Sequence, residues 1–365
     1  MEGKDIPAFP AMNGRVQPLG CSRPDPGHPF VNPVPTSTRT PLRVTSVGMN
    51  RLYLVLLASA CVAVAATPLP AQTRAGGAPF VIQESGETFD NLADAVNAVG
   101  GGNGTIMIAP GTYRMCAVQN AGRVAYVARE PGTVIFDGVA CEGKGALVLG
   151  GESARVEGIT FQNIRVEDRN GAGIRLEAGD LLVRESLFRA GENGILVAND
   201  SGGTIRVDQS TFSELGGCPE DVGCSHSIYN SGTGTLVVTR SRFERGTGGH
   251  YVKSRGTRIE VTDSSFDDSQ GHATNYMIDL SNGAVGTIAR NTFVQGENKE
   301  NYSALIMVAA EGTRHSSAGL AITQNEAGLV PGLQRRTSFV ADESGQPITI
   351  ENNRLDPQIT RFERR

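Results

Sequence analysis

His226 and His250 each stand just before a short apolar strand phrase, at Ile228 and Val252. Aligning those two phrases sets His226 on His250. It also puts Tyr229, Lys253 and, one copy later, Asp279 in one outward-facing row. Arg255 follows the second phrase, and His272 lies on the next turn. Beyond residue 71 the chain holds only four histidines, 226, 250, 272 and 315, so two in register are a signal. Histidine exchanges protons near neutral pH. Lysine acts as a base only when its pKa is lowered, and neighbouring His, Arg and Lys charges are expected to lower that of Lys253. Removing a proton α to a carboxylate and expelling a glycosidic oxygen needs a base, a cation for the developing enediolate and an acid. In that scheme Lys253 is the base, with His250 its rival and His226 beside it. Arg255 holds the carboxylate and Tyr229 is the acid. His272, Asp279, Tyr251 and Tyr276 are the expected substrate contacts.

The same residues have plainer roles open to them. The histidines can point inward and bond at a bend, Lys253 can be solvated, Arg255 can brace a turn, and Asp279 can be structural. Hydrolysis is the competing chemistry. It needs two carboxylates about 5–5.5 or 6.5–9.5 Å apart. Asp279 and Glu311 are candidates, with Asp208, Asp263, Asp267 and Asp268 as further acids near turns. A noncatalytic polysaccharide-binding or surface protein is the third class. The absence of tryptophan leaves Tyr229, Tyr251, Tyr276 and Tyr302 as the available stacking surfaces. Residues 100–104 are glycine-rich but follow a helix, the wrong context for a phosphate loop. No cofactor and no metal site are expected, although a turn could accept calcium.

The elements that would position these groups come from a repeat. An apolar strand, a small polar residue, a variable residue and a phenylalanine recur, ending at Phe161, Phe188, Phe212, Phe243, Phe266 and Phe293. The spacings of 27, 24, 31, 23 and 27 residues fit one coil of three short strands with turns. Leucine-rich repeats use another phrase, and propeller blades are longer. The expected fold is all-β, a single-stranded right-handed parallel β-helix. Its phenylalanines should stack, and Ser186, Ser210, Ser241, Ser264 and Asn291 should form a polar ladder. Forty-six glycines suit a chain that turns so often. An amphipathic helix over residues 88–99, with Thr88 as its polar cap, should close the N-terminal end. Insertions at 213–225, 294–303 and 309–318 are expected to wall a groove from one side.

The N-terminus reads differently. Residues 1–48 are proline-rich and are expected to be an unfolded upstream segment. Residues 49–71 carry Arg51, a fifteen-residue apolar run and small residues up to Ala71, the pattern of a secretory signal. Cys61 allows a lipoprotein alternative, with an outer-membrane location. Residues 72–365 are then the β-helix domain, with a cap at about 80–112 and coils over about 113–355. It would be secreted or periplasmic, monomeric and without stable membrane insertion. Past residue 71 there are 27 basic and 35 acidic residues, net -8, which argues against nucleic acid as a partner. An acidic polysaccharide or oligosaccharide stays compatible if a local cleft differs from the whole. Cys116, Cys141, Cys218 and Cys224 allow three pairings. Proximity favours Cys116–Cys141 and Cys218–Cys224.

The stretch from Phe89 through Pro110, Gly111, Thr112 and Tyr113, followed by these coils, resembles the pectin-lyase-like right-handed β-helix superfamily over residues 80–355. That superfamily includes lyases, hydrolases, esterases, epimerases and noncatalytic binding proteins. Val252, Lys253 and Ser254, with Val261 to Phe266, are similar to the catalytic coil of alginate lyases and chondroitin lyase B. That resemblance implies a lysine base at Lys253, an assisting arginine and a calcium ion on the uronate carboxylate. Where that group has acidic calcium ligands, this chain has Gly246, Thr247, Gly248 and Gly249.

Overall fold

A computed structural model describes residues 77–199, 201–219 and 223–365. The chain divides into two units, Met1–Leu69 and Pro70–Arg365, and all described residues belong to the second. The upstream segment and the signal pattern lie outside the described residues.

Each coil gives one short strand to each of three sheets, of 12, 10 and 10 strands. The first sheet begins with an antiparallel hairpin, Phe80–Ile82 with Thr88–Phe89, and runs on in parallel from Asn103–Ile108 to Thr349–Glu351. The second runs from Gly111–Tyr113 to Arg354–Leu355, and the third from Ala117–Gln119 to Ile359–Arg364. Alternation decides which residues enter the core. In Thr204–Asp208, Ile205 and Val207 are buried while Arg206 is exposed.

The phenylalanine column forms as expected and extends back to Phe136 and Tyr113. From Phe136 to Phe293 the ring centroids are 4.7–5.7 Å apart, with planes within 18°. The next coil has Ala327 in that register, and Phe339 meets Phe293 edge-on at 5.9 Å instead.

The polar ladder also forms. The backbone N–H of Ser186 donates to Ser210 Oγ, that of Ser210 to Ser241 Oγ, and that of Ser241 to Ser264 Oγ. The series continues through Asn291, Asn325 and Asn353. A feature not read from the sequence accompanies it. The residue before each rung has positive φ although none is glycine: Glu185, Gln209, Arg240, Asp263, Arg290, Gln324 and Asn352 lie between 48° and 58°. That conformation costs an L-residue about 1–2 kcal/mol. The rungs offset it by satisfying buried N–H groups at the same bend.

Two local expectations are corrected. The helix is Leu92–Val99, and its cap is Asn91, whose Oδ1 accepts from the Ala93 N–H at 2.8 Å. Thr88 is instead paired in the hairpin. The insertions at 213–225 and 294–303 lie between the second and third sheets, whereas 309–318 leads from the third sheet to the first. They flank the third sheet on two sides because they occupy different turns of the coil. Both disulfides are those favoured by proximity, Cys116–Cys141 and Cys218–Cys224. Among the described residues, no helix is long and apolar enough to cross a membrane.

Ser241→Ala leaves the buried Ser210 N–H without its acceptor and should cost about 1–3 kcal/mol in denaturant unfolding. Ser241→Asn, which restores an oxygen of the kind used at Asn291, should retain most of the stability. Phe243→Ala should cost about 3–5 kcal/mol. An unchanged Ser241→Ala would mean that the ladder does not hold the bend.

Candidate functional site

On the third sheet, Ile228, Val252 and Ile278 point into the core, and the alternate residues form one outward column. Tyr229 pairs in register with Lys253, and Lys253 with Asp279. The column continues through Met307 and Ala341. Glu311 enters from the turn that follows Ala304–Val308.

Lys253 is the centre of this group. Its Nζ lies 3.0 Å from Asp279 Oδ2 and 2.6 Å from Glu311 Oε1. Arg255 binds the other Glu311 oxygen through Nε at 2.9 Å and Nη2 at 2.5 Å, and also donates to the Tyr229 hydroxyl. Ser281 Oγ donates to Asp279 Oδ2 at 2.8 Å. Asp279 Oδ1 is buried and has no hydrogen-bond partner among the described residues. Beneath this layer the His226 and His250 rings are 4.9 Å apart. His226 Nδ1 accepts the backbone N–H of His250 at 3.0 Å, which places the His226 proton on Nε2. The His226 N–H is held by Asn193 Oδ1, and His250 Nε2 is 3.7 Å from Asp279 Oδ2.

The electrostatics correct the expectation for Lys253. Burial pulls its pKa down, but Asp279 and Glu311 outweigh burial and hold the ammonium above the ordinary lysine value. It is a cation near neutral pH rather than a ready base. Burial pushes the Asp279 carboxyl up, and Lys253 and Ser281 only partly oppose it. Burial also pushes Glu311 up, yet Lys253 and Arg255 prevail and hold it below the ordinary range. Burial raises the Tyr229 hydroxyl against the pull of Arg255 and Lys253. Burial, with nearby cations, holds both histidines well below their usual value, so they are neutral at pH 7.

Not every predicted contact joins this group. Tyr251 is 1% exposed, and its hydroxyl donates to Asp268, so it offers no surface to a substrate. His272 is exposed on its turn and makes no side-chain contact with the group. Tyr276 is half-buried, with its ring 5.7 Å from that of His250. Of the other acids, Asp208 is paired with Arg240, Asp263 with Arg290, and Asp267 with Arg242. Asp268 is fully buried and bound by Tyr251, Thr274 and Lys299, which ties two long turns together. The buried Lys299 was not singled out in the sequence, since nothing in its local pattern marks it as interior.

Lys253→Met should cost about 3–5 kcal/mol at neutral pH, because Asp279 is left as a buried charge without its partner. Its carboxyl would then rise further above the unfolded value, so the folded state holds the extra proton. The variant should therefore regain stability as pH falls through the acid range, measured as Tm against pH. A constant deficit at every pH would contradict the pairing.

Comparison with known proteins places the fold. A family model described as right handed beta helix region matches residues 144–356. ORF18 of Geobacillus virus E2 is similar at 14% identity with a TM-score of 0.45, covering 77% of this chain and 60% of that one. This chain thus spans about 60% of that protein's length. The Streptococcus pneumoniae surface protein and adhesin PfbA is similar at 9% identity with a TM-score of 0.33, covering 74% of this chain and 94% of that one. No curated protein matches. Fold is shared across many activities, so likeness at this level says nothing about chemistry. With the family model matching over half the sequence and three sheets wound as described, the chain belongs to the right-handed β-helix family.

Proposed function

We propose that the chain is an exported carbohydrate-active enzyme that cleaves a glycosidic bond by hydrolysis, using Asp279 and Glu311. The observation that carries this reading is Lys253 Nζ seated between the two carboxylates. Its contacts of 3.0 and 2.6 Å bound the separation of those oxygens at 5.6 Å. That upper limit falls short of the inverting separation of about 6.5–9.5 Å and is compatible with the retaining geometry of about 5–5.5 Å. The environments also push the two acids apart, which is how one site obtains an acid and a nucleophile. Asp279, ionised against Lys253 and nearly inaccessible in the free protein, would take up a proton once an entering sugar displaces Lys253 from it, helped by the upward push of burial, and would pass that proton to the leaving oxygen. Glu311, held ionised by Lys253 and Arg255, would attack the anomeric carbon. Water would then hydrolyse the glycosyl intermediate, with Asp279 accepting its proton. Arg255 is the more exposed of the two cations and would swing off Glu311 as the sugar enters.

Elimination from a uronate remains the competing reading. Lys253 and Arg255 on one surface favour it, since both can hold a substrate carboxylate. Its weakness is the base: Lys253 and Tyr229 are both raised, and the neutral histidines are buried. Export is supported by the signal pattern and by two disulfides, which persist in oxidising compartments.

The deciding assay incubates the full chain with pectate, alginate, glucuronan, glycosaminoglycans and neutral glucans. New reducing ends without ultraviolet absorbance from an unsaturated uronate are the expected result, with retained anomeric configuration. Glu311→Gln and Asp279→Asn should each lower kcat at least about 100-fold, the lower end of acid–base contributions. An unsaturated product, or full activity in both variants, would overturn hydrolysis by this pair.

A further inference from the structure

A buried lysine and a buried aspartate meet in the turns between the second and third sheets, apart from the Lys253 group. Asp268 follows the second-sheet strand Ser265–Asp267, and Lys299 lies in the corresponding turn one coil later. Backbone pairing stacks these turns, with Thr274 in register with Lys299. Gly296 lets them approach, because a Cβ there would stand 2.0 Å from the Asp268 carbonyl oxygen. Lys299 Nζ lies 3.2 Å from Asp268 Oδ2, and the two side chains are 1% and 0% exposed.

Donors hold both oxygens of Asp268. The Tyr251 hydroxyl donates to Oδ1 at 2.7 Å, and the Thr274 hydroxyl donates to it at 2.8 Å. The Tyr251 oxygen accepts the Gly246 N–H at 3.1 Å, which leaves its own proton for Asp268. Burial and the adjoining carboxylate push the Tyr251 hydroxyl well above the ordinary tyrosine value, so it stays a donor. Oδ2 receives the Gly296 N–H at 3.3 Å. Lys299 Nζ also donates to the Asn275 carbonyl. Burial pulls the Lys299 pKa below the ordinary lysine value; Asp268 opposes that pull and Arg335 adds to it. An ion pair shut away from water carries a desolvation penalty that a neutral amide lacks.

We infer that Lys299 and Asp268 join in a covalent amide that staples adjacent coils. The ammonium first passes a proton to Oδ2, giving an amine and a carboxylic acid. The amine lone pair attacks Cγ, and the carbonyl π pair moves onto Oδ1. Tyr251 and Thr274 stand at the distances of donors that stabilise such an oxyanion. A proton on the nitrogen then passes to the Oδ2 hydroxyl, which leaves as water while the Oδ1 pair re-forms the double bond. The products are one secondary amide and one water, and no oxidant or further reactant is consumed. Holding the two groups in contact replaces a bimolecular encounter, and the dry surroundings disfavour the reverse hydrolysis. The amide also inherits the present contacts. Its oxygen accepts from Tyr251 and Thr274, and its remaining N–H donates to Asn275. The Gly296 contact, the longest of the set, is the one given up. The staple is independent of the hydrolytic reading, since none of its residues belongs to the Lys253 group.

The test is a tryptic digest of the purified, unheated full chain after disulfide reduction, read by tandem mass spectrometry. Trypsin cuts after lysine and arginine, so an unlinked chain yields 259–290, 291–299 and 300–314 as separate peptides. A linked chain yields 259–290 joined to 291–314, lighter than their sum by one water and uncut after Lys299. Most of the chain should give that branched peptide, with fragmentation placing the branch at Asp268 and Lys299. Lys299→Arg keeps a cation but cannot form the bond, and should give only separate peptides. The inference is overturned if 291–299 and 300–314 account for most of the parent chain, or if the branched peptide persists in Lys299→Arg. The parent digest decides the matter even where the variant fails to fold.

Discussion

At the bend between the first and second sheets, a residue with positive φ is followed by a side chain whose oxygen receives an N–H from the adjacent coil. From Glu185 to Asn352 this device repeats, and over that span it ties each coil to the next by a side chain in the same way. A slip of one residue would turn each strand's apolar set outward. It would also strip the bend of its acceptors. Register is thus held twice, by the rungs at one corner and by the stacked phenylalanines next to it. The row Tyr229, Lys253, Asp279 exists because of that register, since its members are distant in sequence and meet only when successive strands align.

The site differs from the rest of the surface in how its charge is kept. Elsewhere, pairs such as Arg240–Asp208 and Arg290–Asp263 are exposed and contribute little. Around Lys253, Asp279 is nearly inaccessible and one of its oxygens has no hydrogen-bond partner among the described residues. A buried carboxylate is costly, and a cation in contact is what makes it tolerable. The buried His226 and His250, with tilted rings 4.9 Å apart, are neutral and add no charge to the group. The result is one acid raised by burial and another lowered by cations, sharing a single ammonium.

The fold was legible because repetition multiplies a weak signal. One apolar strand ending in phenylalanine means little, but six at nearly constant spacing define a coil. The outward row followed from the same alignment. What could not be read was anything decided by burial and long-range approach. Glu311 was visible only as an acid after a strand; its turn length, not its local pattern, carries it to Lys253 and Arg255. Lys253 was assigned a lowered pKa from the cations near it in sequence, and the acids that reverse the sign come from the next two coils. Tyr251 was taken for an exposed platform because tyrosines often are, while its hydroxyl is committed to the buried Asp268. Positive φ at the bends was hidden because the residues there are charged or amide types instead of glycine.

The central claim is that one lysine bridges two carboxylates held in opposite electrostatic states. Carbon-13 NMR titration of labelled Asp and Glu side-chain carboxyls, assigned with Asp279→Asn and Glu311→Gln, reads those states directly. The account requires Asp279 to titrate above the ordinary aspartate value and Glu311 below the ordinary glutamate value. Two ordinary titrations, or the reverse order, would contradict it.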